Sequence, residues 1–424
     1  MSKRFEFPDK LRFTCTQCGD CCRSFNLMLG SGERERLEAL DWRGREEDLV
    51  NEAPAVQLSG SRGQARYRLV RRADGACIFL GKGNQCRIHE HFGAEVKPLM
   101  CRLYPFGFYR LGDRITVDVA FSCRAVSQGS GAPVAERVPE WTRLLNESTE
   151  SGEPRHRLTK KYAIDGELLW ELEHHMLELL SGPSMALFDR IRSVLQFNRL
   201  ATVGDPTTDA ARQLRQAMAR GIPLQTRRIP FQGTMDRTQQ AIFYQWLYLA
   251  LNPVPGDFDL MLPREQQAEK KRRMAAANRY QNRSRCPFLN NRDMKVSFEE
   301  IDRVDAGAFR DWQLETVENF LKAKILSQRF LFAGEMELPL VEATPRFFLC
   351  FPMLIWTGKA LAAERGASSI EGADVRRAVR LIDRSLGQID TSQLSRKQAR
   401  VYSFIVEETD LVACATHDLL NTGK

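Results

Sequence analysis

The stretch Cys15-Thr16-Gln17-Cys18-Gly19-Asp20-Cys21-Cys22 places four thiols within eight residues. Thiolates are soft ligands that favour zinc, Cu(I) and iron–sulfur clusters over hard cations. A Cys-x2-Cys spacing lets two side chains converge on one ion or on one face of a cluster. Neighbouring residues on an irregular turn are expected to point apart, so we predict that Cys21 and Cys22 serve different corners of a multinuclear cluster or two separate sites. Gly19 permits the turn.

A second pair of cysteines flanks a short loop. Cys77 and Cys86 are separated by the turn-forming residues Gly81-Lys82-Gly83-Asn84, and such a loop holds its two ends close together. The spacing is similar to that of a zinc knuckle. We therefore expect Cys77 and Cys86 to lie near each other.

A predicted hairpin brings a third pair together. Phe106–Leu111 and 114–121 have the alternation of two strands, and Gly112-Asp113 between them suits a tight turn. Because a hairpin joins its two ends in space, Cys101 just before it and Cys123 just after it become neighbours. Eight cysteines are thus candidate metal ligands, which could fill two four-coordinate sites, hold one four-iron cluster plus a structural zinc, or include some packing residues: Cys15, Cys18, Cys21, Cys22, Cys77, Cys86, Cys101 and Cys123.

Composition points to a globular protein in a reducing compartment. The chain has 424 residues, 43% of them apolar and 27% charged, which is enough for two or three domains. The polar start from Met1 to Lys10 lacks a signal-peptide core, and no apolar run reaches the roughly 18 residues of a membrane span. We predict a cytoplasmic protein without a membrane partner. Thiols stay reduced in the cytoplasm, so eleven cysteines favour metal binding over disulfides.

The remainder of the chain is predicted to be helical, giving an α+β fold class. We expect a cysteine-cluster domain at residues 1–126, a linker at 127–160 crossed by a helix around Trp141, and an α-helical domain at 161–424. Cys286, Cys350 and Cys414 in that domain are expected to pack rather than bind metal, and the apolar stretch 347–356 is expected to be a buried core helix. The expected helices span 165–181, a segment through 188–195, 206–220, 236–251, 264–281, 307–330, 346–364, 371–387 and 395–420.

The charge pattern suggests a partner. The net charge is +8, and the segment 264–285 contains the run Lys270-Lys271-Arg272-Arg273. This segment is a candidate contact for a protein substrate or an acidic partner. Tyr280 is the one aromatic residue in its basic part, which favours a solvated helix face over nucleic-acid binding.

The cysteine pattern resembles the YkgJ-type cysteine-cluster family, which is described as zinc- or iron-chelating. The resemblance covers the first 123 residues and rests on Phe13-x-Cys15-x2-Cys18-Gly19-x-Cys21-Cys22-Arg23, Cys77-x-Phe79-Leu80, Cys86-x-Ile88, Cys101-Arg102-x-Tyr104-Pro105-Phe106 and Cys123. It implies a metal-binding domain and names a ligand pattern rather than an activity.

A narrower resemblance is to flagellin lysine-N-methylases of the FliB type. It rests on Cys86-Arg87-Ile88-His89-x3-Gly93, Cys101-Arg102-x-Tyr104-Pro105 and Val317-Glu318-Asn319-Phe320-Leu321. It implies an iron–sulfur cluster, which we expect to be of the 4Fe-4S type, used with S-adenosylmethionine to methylate a protein lysine.

Three functional hypotheses follow. The first is an iron–sulfur or zinc metalloprotein. The second is a protein-lysine N-methyltransferase, with Arg102, Tyr104 and His89 near the cluster as the residues expected to contact S-adenosylmethionine or substrate. The third is an interaction scaffold in which zinc only closes the N-terminal fold.

Overall fold

Short strands and helical turns make up the first third of the chain, and long helices follow. The computed structural model describes residues 4–58, 66–111, 114–146, 156–182, 185–200, 215–216, 218–219, 231–253, 258, 261–309, 314–333, 336–385 and 410–422. Helices account for 57% and strands for 12%. The α+β fold class predicted from the sequence is confirmed.

Two three-stranded sheets occupy the N-terminal part, with strand orders β1-β6-β5 and β2-β4-β3. β1 runs parallel to β6, and the other pairs in these sheets are antiparallel. Two further two-stranded sheets, β7-β8 and β9-β10, lie in the helical part. The strands are β1 (Arg4–Glu6), β2 (Met28–Leu29), β3 (Ala55–Leu58), β4 (Arg66–Leu69), β5 (Phe106–Leu111), β6 (Arg114–Val119), β7 (Phe288–Leu289), β8 (Arg292–Asp293), β9 (Phe332–Ala333) and β10 (Met336–Glu337).

The predicted hairpin is present as β5 and β6. Phe106 pairs with Val119 and Leu111 with Arg114, and Ala120 N–H donates to Pro105 O at 2.8 Å just beyond the last pair. The second strand ends at Val119, two residues before the expected end. The two ends of the hairpin therefore meet as the sequence predicts.

Sixteen named helices are present among the described residues. They are α1 (Asp20–Ser24), α2 (Ser31–Glu38), α3 (Arg87–Phe92), α4 (Leu99–Leu103), α5 (Arg124–Ser127), α6 (Val138–Asn146), α7 (Gly166–Leu180), α8 (Leu187–Leu200), α9 (Arg237–Leu251), α10 (Pro263–Gln281), α11 (Phe298–Asp302), α12 (Glu315–Leu326), α13 (Leu340–Phe348), α14 (Cys350–Glu364), α15 (Gly372–Ser385) and α16 (Leu411–Asn421). Short 3-10 turns lie at Glu47–Leu49, Lys82–Asn84, Ala94–Val96, Val134–Arg137, Gly307–Phe309 and Arg329–Leu331.

Two expected helices are divided in the structure. In place of the expected helix 307–330, the described residues form a 3-10 turn, α12 and a second 3-10 turn, and the regular helix ends before Gln328, which adopts a left-handed φ of 57°. The expected helix 346–364 consists of α13 and α14, with Leu349 between them. Pro352 lacks the N–H that would continue the hydrogen-bond ladder into α13. Most of 206–220 and the part of 395–420 before residue 410 lie outside the described residues.

Two separate apolar cores hold these elements. The small core consists of Leu29, Leu37, Trp42, Leu49, Leu69, Ile78, Phe79 and Ile88. The large core joins the hairpin to the long helices, and it includes Val117 and Val119 of β6. It also takes in Val134 and Trp141, which lie in the stretch expected to be a linker. The domain boundaries expected at 126 and 160 stay a prediction.

The stretch Leu340–Glu364 is the one described segment that is long and apolar enough, by length and composition, to cross a membrane. Of its most apolar window, 89% is buried inside the protein, and Phe351, Leu354 and Trp356 are each at most 1% exposed. The stretch packs as core helices, as its sequence predicts.

Candidate metal centre

The first cysteine stretch forms a loop that leads into α1. Cys15 and Cys18 lie on the loop, and Cys21 and Cys22 lie in the first turn of the helix. Gly19 caps the helix with a left-handed φ of 73°, and a Cβ built there would come 2.9 Å from Asn84 Oδ1. A side chain at residue 19 would therefore separate this stretch from the loop between Cys77 and Cys86.

Cys21 and Cys22 do not point apart as expected. Their Sγ atoms are 3.9 Å apart. The two thiols are thus close enough to bind the same metal centre.

The second cysteine pair is joined to the first by the backbone. Cys77 N–H donates to Cys22 O at 2.8 Å, and Cys86 pairs with Leu80 in an isolated bridge directly before α3. These contacts hold the loop between Cys77 and Cys86 against the first stretch.

The third cysteine pair flanks the hairpin of β5 and β6. Cys101 lies in α4, and Cys123 lies between β6 and α5. Both residues face the same cavity, and the expectation that the hairpin makes the two thiols neighbours stays a prediction.

Seven of the eight candidate cysteines line one cavity of about 430 Å³, which we call the cysteine cavity. Cys77 is not part of its wall, although its charge acts on Cys101 together with that of Cys86. The lining cysteines are Cys15, Cys18, Cys21, Cys22, Cys86, Cys101 and Cys123. Three distant parts of the chain thus contribute thiols to one space.

Burial controls the protonation of these thiols. It raises the pKa of Cys77 to about 11, that of Cys101 to about 12 and that of Cys123 to about 11. A hydrogen bond with Cys22 is the largest cause that raises the pKa of Cys21, and burial is the second. The four groups are neutral thiols near pH 7 unless a metal displaces their protons.

All eight cysteines are free thiols, and their soft sulfur donors fit zinc or iron. Within the described ranges, no three His, Cys, Asp or Glu side chains already have the arrangement of a metal site. The thiols therefore surround the cavity without adopting the geometry of one particular metal. Binding would require small side-chain rotations.

The three residues expected to contact a cofactor also line the cysteine cavity: His89, Arg102 and Tyr104. The Tyr104 ring lies 5.0 Å from the Phe25 ring, and burial raises the pKa of Tyr104, which keeps it a neutral phenol. The structure thus brings all three next to the thiols.

Apart from Arg102, the sequence reasoning missed the charged groups in this wall. Lys97, Arg102, Arg124, Arg137 and Arg143 supply cations, whereas Asp20, Glu95 and Glu140 supply carboxylates. Arg124 Nε lies 3.2 Å from Asp20 Oδ2, and Arg137 lies 2.7 Å from Glu140. Arg124 follows Cys123 directly, so its position in the sequence was a usable signal.

The helical part supports the Cys123 corner through a buried ion cluster. Ser122 N–H donates to Asp383 Oδ2 at 2.8 Å. Lys324 Nζ lies 2.9 Å from Asp383 Oδ1 and 2.8 Å from Asp118 Oδ1. A backbone group next to a candidate ligand is therefore fixed by α12 and α15.

Comparisons with known proteins agree with this site. Residues 14–123 match a family model named CxxCxxCC and described as "Putative zinc- or iron-chelating domain". An uncharacterized protein of Methanocaldococcus jannaschii is 29% identical over 98 residues, which cover 23% of this chain and 30% of that relative. No solved structure matches.

The match covers the same cysteines that line the cavity and ends at Cys123. The resemblance to the YkgJ-type family is confirmed for this segment, whereas the resemblance to flagellin lysine-N-methylases stays a prediction. Over residues 14–123, the chain carries a cysteine-cluster domain of the zinc- or iron-chelating CxxCxxCC family.

Proposed function

We propose that residues 14–123 bind an iron–sulfur cluster through thiolates of the cysteine cavity. The observation that supports this most is that seven thiols surround one space of about 430 Å³. A structural zinc ion takes four ligands in a closed tetrahedral site and leaves little room beside them. An iron–sulfur cluster is larger and is held by cysteine thiolates.

Electrostatic contacts between the thiols favour one connected centre. Cys21 acts on both Cys101 and Cys123, and Cys18 also acts on Cys123. Cys77 and Cys86 act on Cys101 more strongly than Cys21 does, so these effects do not single out four ligands, and all eight cysteines stay candidates. Cys77 and Cys86 act on each other and on Cys101, so they are candidates for the same centre or for a second, zinc-type site.

Cations in the wall suit a negatively charged thiolate site. The Lys97 ammonium lowers the pKa of Cys21 and Cys101, in opposition to burial. Arg102 and Arg124 lie in the same wall. Positive charge near thiolates favours their ionised form and hence metal binding.

Metal and acid-labile sulfide analysis of anaerobically purified protein, with its visible spectrum, tests this proposal. Iron with matching sulfide and broad visible absorption is expected. Zinc alone, without sulfide or colour, would contradict the iron–sulfur proposal. That result would favour the interaction scaffold, in which the metal only closes the fold.

A second candidate is methyl transfer from S-adenosylmethionine to a protein lysine. The specific observation in its favour is that His89, Arg102 and Tyr104 line the same cavity as the thiols. A volume of about 430 Å³ also lies within the range of small-molecule sites. In this function the bound cofactor supplies the methyl group, Arg102 holds an anionic group of the ligand, and Tyr104 donates a hydrogen bond as a neutral phenol.

Equilibrium binding of S-adenosylmethionine to the metal-loaded protein tests the second candidate. Saturable binding that weakens at least about fivefold in Arg102→Gln is expected, since a charge-assisted hydrogen bond is lost. Protein with a full metal centre and no saturable binding would exclude this function while leaving the iron–sulfur proposal intact.

A further inference from the structure

A row of arginines lies on α15 beside the cysteine cavity. Arg377, Arg380 and Arg384 have the spacing i, i+3 and i+7, which places them on one helix face. The opposite face, with Val375, Ala378, Val379 and Ile382, is buried in the large core. The arginine face is consequently the outward one.

This row adjoins the wall of the cavity. α15 packs against α5, which begins at Arg124, and Arg124 lines the cavity and pairs with Asp20. Arg380 lies within electrostatic range of Arg124, Asp20, Arg377 and Arg384. The four arginines form one group, which we call the arginine rim.

Within the ranges that the structure describes, which omit residues 386–409 directly after α15, the four guanidinium groups of the arginine rim outnumber the carboxylate near them. Arg377 is exposed, and Arg380 and Arg384 are half-buried. In the described part of the chain, Asp20 is the carboxylate that acts on Arg380, and it is already paired with Arg124. Arg384 Nε is buried without a hydrogen-bond partner there. Burial and the neighbouring arginines also lower the pKa of Arg380.

The basic segment 264–285, which the sequence analysis identified as a candidate contact for an acidic partner, differs from the arginine rim in its ion pairs. Arg272 pairs with Glu269 at 2.7 Å and Arg279 with Asp293 at 2.5 Å, and Arg283 pairs with Asp302. Arg273 donates to Asn252 O at 2.7 Å. These arginines hold the protein's own groups. In the described ranges Asp20 pairs with Arg124 of the rim, which leaves Arg377, Arg380 and Arg384 as the candidate contacts for a ligand.

We propose that the arginine rim is a docking surface for an acidic segment of a partner protein, next to the metal centre. Arg377 and Arg384 are seven residues apart on the helix, which corresponds to about 10 Å along its axis. One phosphate or carboxylate cannot span this distance, whereas a peptide segment with several carboxylates can. Guanidinium groups bind carboxylates through two parallel hydrogen bonds. The rim residues named here include no aromatic side chain on which a nucleic-acid base would stack.

Fluorescence anisotropy with labelled octaglutamate and the full-length, metal-loaded protein tests this docking surface. The variant Arg377→Gln with Arg380→Gln is expected to bind about tenfold more weakly, and Arg377→Gln alone about threefold. The control is Lys295→Gln with Arg303→Gln, which removes the same charge from exposed positions outside both the rim and the segment 264–285 and should stay within about twofold. Binding should also weaken as salt is added.

Three results would overturn the proposal. The control pair could weaken binding as much as the rim pair, which would mean that net charge alone attracts the peptide. Inorganic pyrophosphate could bind more tightly than octaglutamate through the same arginines, which would indicate a small phosphate ligand. An oligodeoxythymidylate of equal charge could bind more tightly than octaglutamate through the same arginines, which would indicate a nucleic-acid ligand.

Metal content measured on the same samples separates this surface from the proposed metal function. Loss of peptide binding at unchanged metal content is the expected result for the rim variants. The proposal holds whichever metal the thiols bind. Absence of peptide binding in fully loaded wild-type protein would overturn the docking surface alone.

Discussion

Cys21 occupies the middle of the thiol group. Its Sγ is 3.9 Å from that of Cys22, and it acts electrostatically on both Cys101 and Cys123. A residue in this position contacts thiols from three parts of the chain. Its removal should therefore harm the centre more than removal of a thiol at the margin, such as Cys15, which is exposed.

We predict that Cys21→Ser lowers metal affinity by more than the roughly 10- to 100-fold that loss of an outer-shell partner costs. Metal per chain after competition with a chelator of known affinity provides the measurement. Cys286→Ser is the matched control, because Cys286 is also half-buried but lies outside the cavity wall. Equal metal content in both variants would show that Cys21 is not a ligand.

The carboxyl group of Glu173 on α7 is buried and has few polar partners. Its Oε2 accepts a hydrogen bond from Gln328 Nε2 at 3.3 Å, and Oε1 has no partner in the described ranges. Burial raises the pKa of Glu173 well above its ordinary value, while the charge of Arg114 only partly opposes this. The folded protein thus keeps Glu173 protonated at pH values where the unfolded chain ionises it.

The raised pKa of Glu173 makes the free energy of unfolding depend on pH in a definite direction. The contribution of protonated Glu173 is full below the unfolded pKa of about 4.3 and is lost as the pH rises toward the folded pKa. We predict that Glu173→Gln raises the free energy of unfolding by about 1 kcal/mol at pH 8 and changes it little at pH 4. Urea denaturation at both pH values measures this. Glu178→Gln, on the exposed side of α7, should show no such difference, and a gain of equal size at both pH values for Glu173→Gln would contradict the argument.

At the scale of elements, the hairpin is attached to the helices by Lys324. This lysine is almost fully buried on α12 and lies between Asp118 of β6 and Asp383 of α15. Burial lowers its pKa, but the two carboxylates more than offset that effect and the net pKa is raised. Lys324 therefore remains charged and joins three elements.

We predict that Lys324→Met destabilises the protein by about 3–5 kcal/mol, because it leaves two buried carboxylates without a counter-charge. Thermal and urea unfolding measure the change. Lys322→Met serves as the control, since Lys322 is 3.9 Å from Glu318 in a partly exposed i,i+4 pair that is worth about 0.3–0.5 kcal/mol. Equal losses of stability in Lys324→Met and Lys322→Met would show that the buried ion cluster contributes no more than a partly exposed ion pair.

Several elements were predictable because their signals are local. Alternation of Ile115, Val117 and Val119 identifies β6, and the leucines of 165–181 identify α7, whose N-terminus is fixed by Asp165 accepting from Leu168 N–H at 2.7 Å. The spacing of the cysteines likewise identified the segment 14–123. Each of these patterns depends on residues a few positions apart.

The remainder depends on contacts that no local pattern encodes. Cys77 lies outside the cavity wall, and its N–H donates to Cys22 O on the first stretch. The left-handed Gln328 that divides the expected helix 307–330 follows an ordinary helical sequence. Lys324 and Asp383 lie far along the chain from Ser122, so their support of the Cys123 corner required the tertiary structure.

At the scale of the whole molecule, the two cores differ in what holds them together. The hairpin belongs to the large core, where Val117 and Val119 are fully buried against the helices. The small core has eight buried apolar residues, and such a unit falls short of the apolar burial that independent folding needs. Cys77 and Cys86 pack against it, so metal bound by these thiols would close it.

Metal removal should consequently open one part of the molecule and leave the other folded. Hydrogen exchange after chelation is expected to accelerate in β2, β4 and α3, which belong to the small core, whereas β6 and α14 stay protected by the large core. Cys21→Ser without chelator should show the same pattern, since it weakens the same metal centre. Unchanged protection of β4 in metal-free protein would mean that the small core is stable by itself, and the metal would then act in chemistry rather than in folding. Loss of protection in both cores would mean that the hairpin transmits the metal's stabilisation to the helices through Ser122 and Asp383, since that hydrogen bond connects the Cys123 corner to α15.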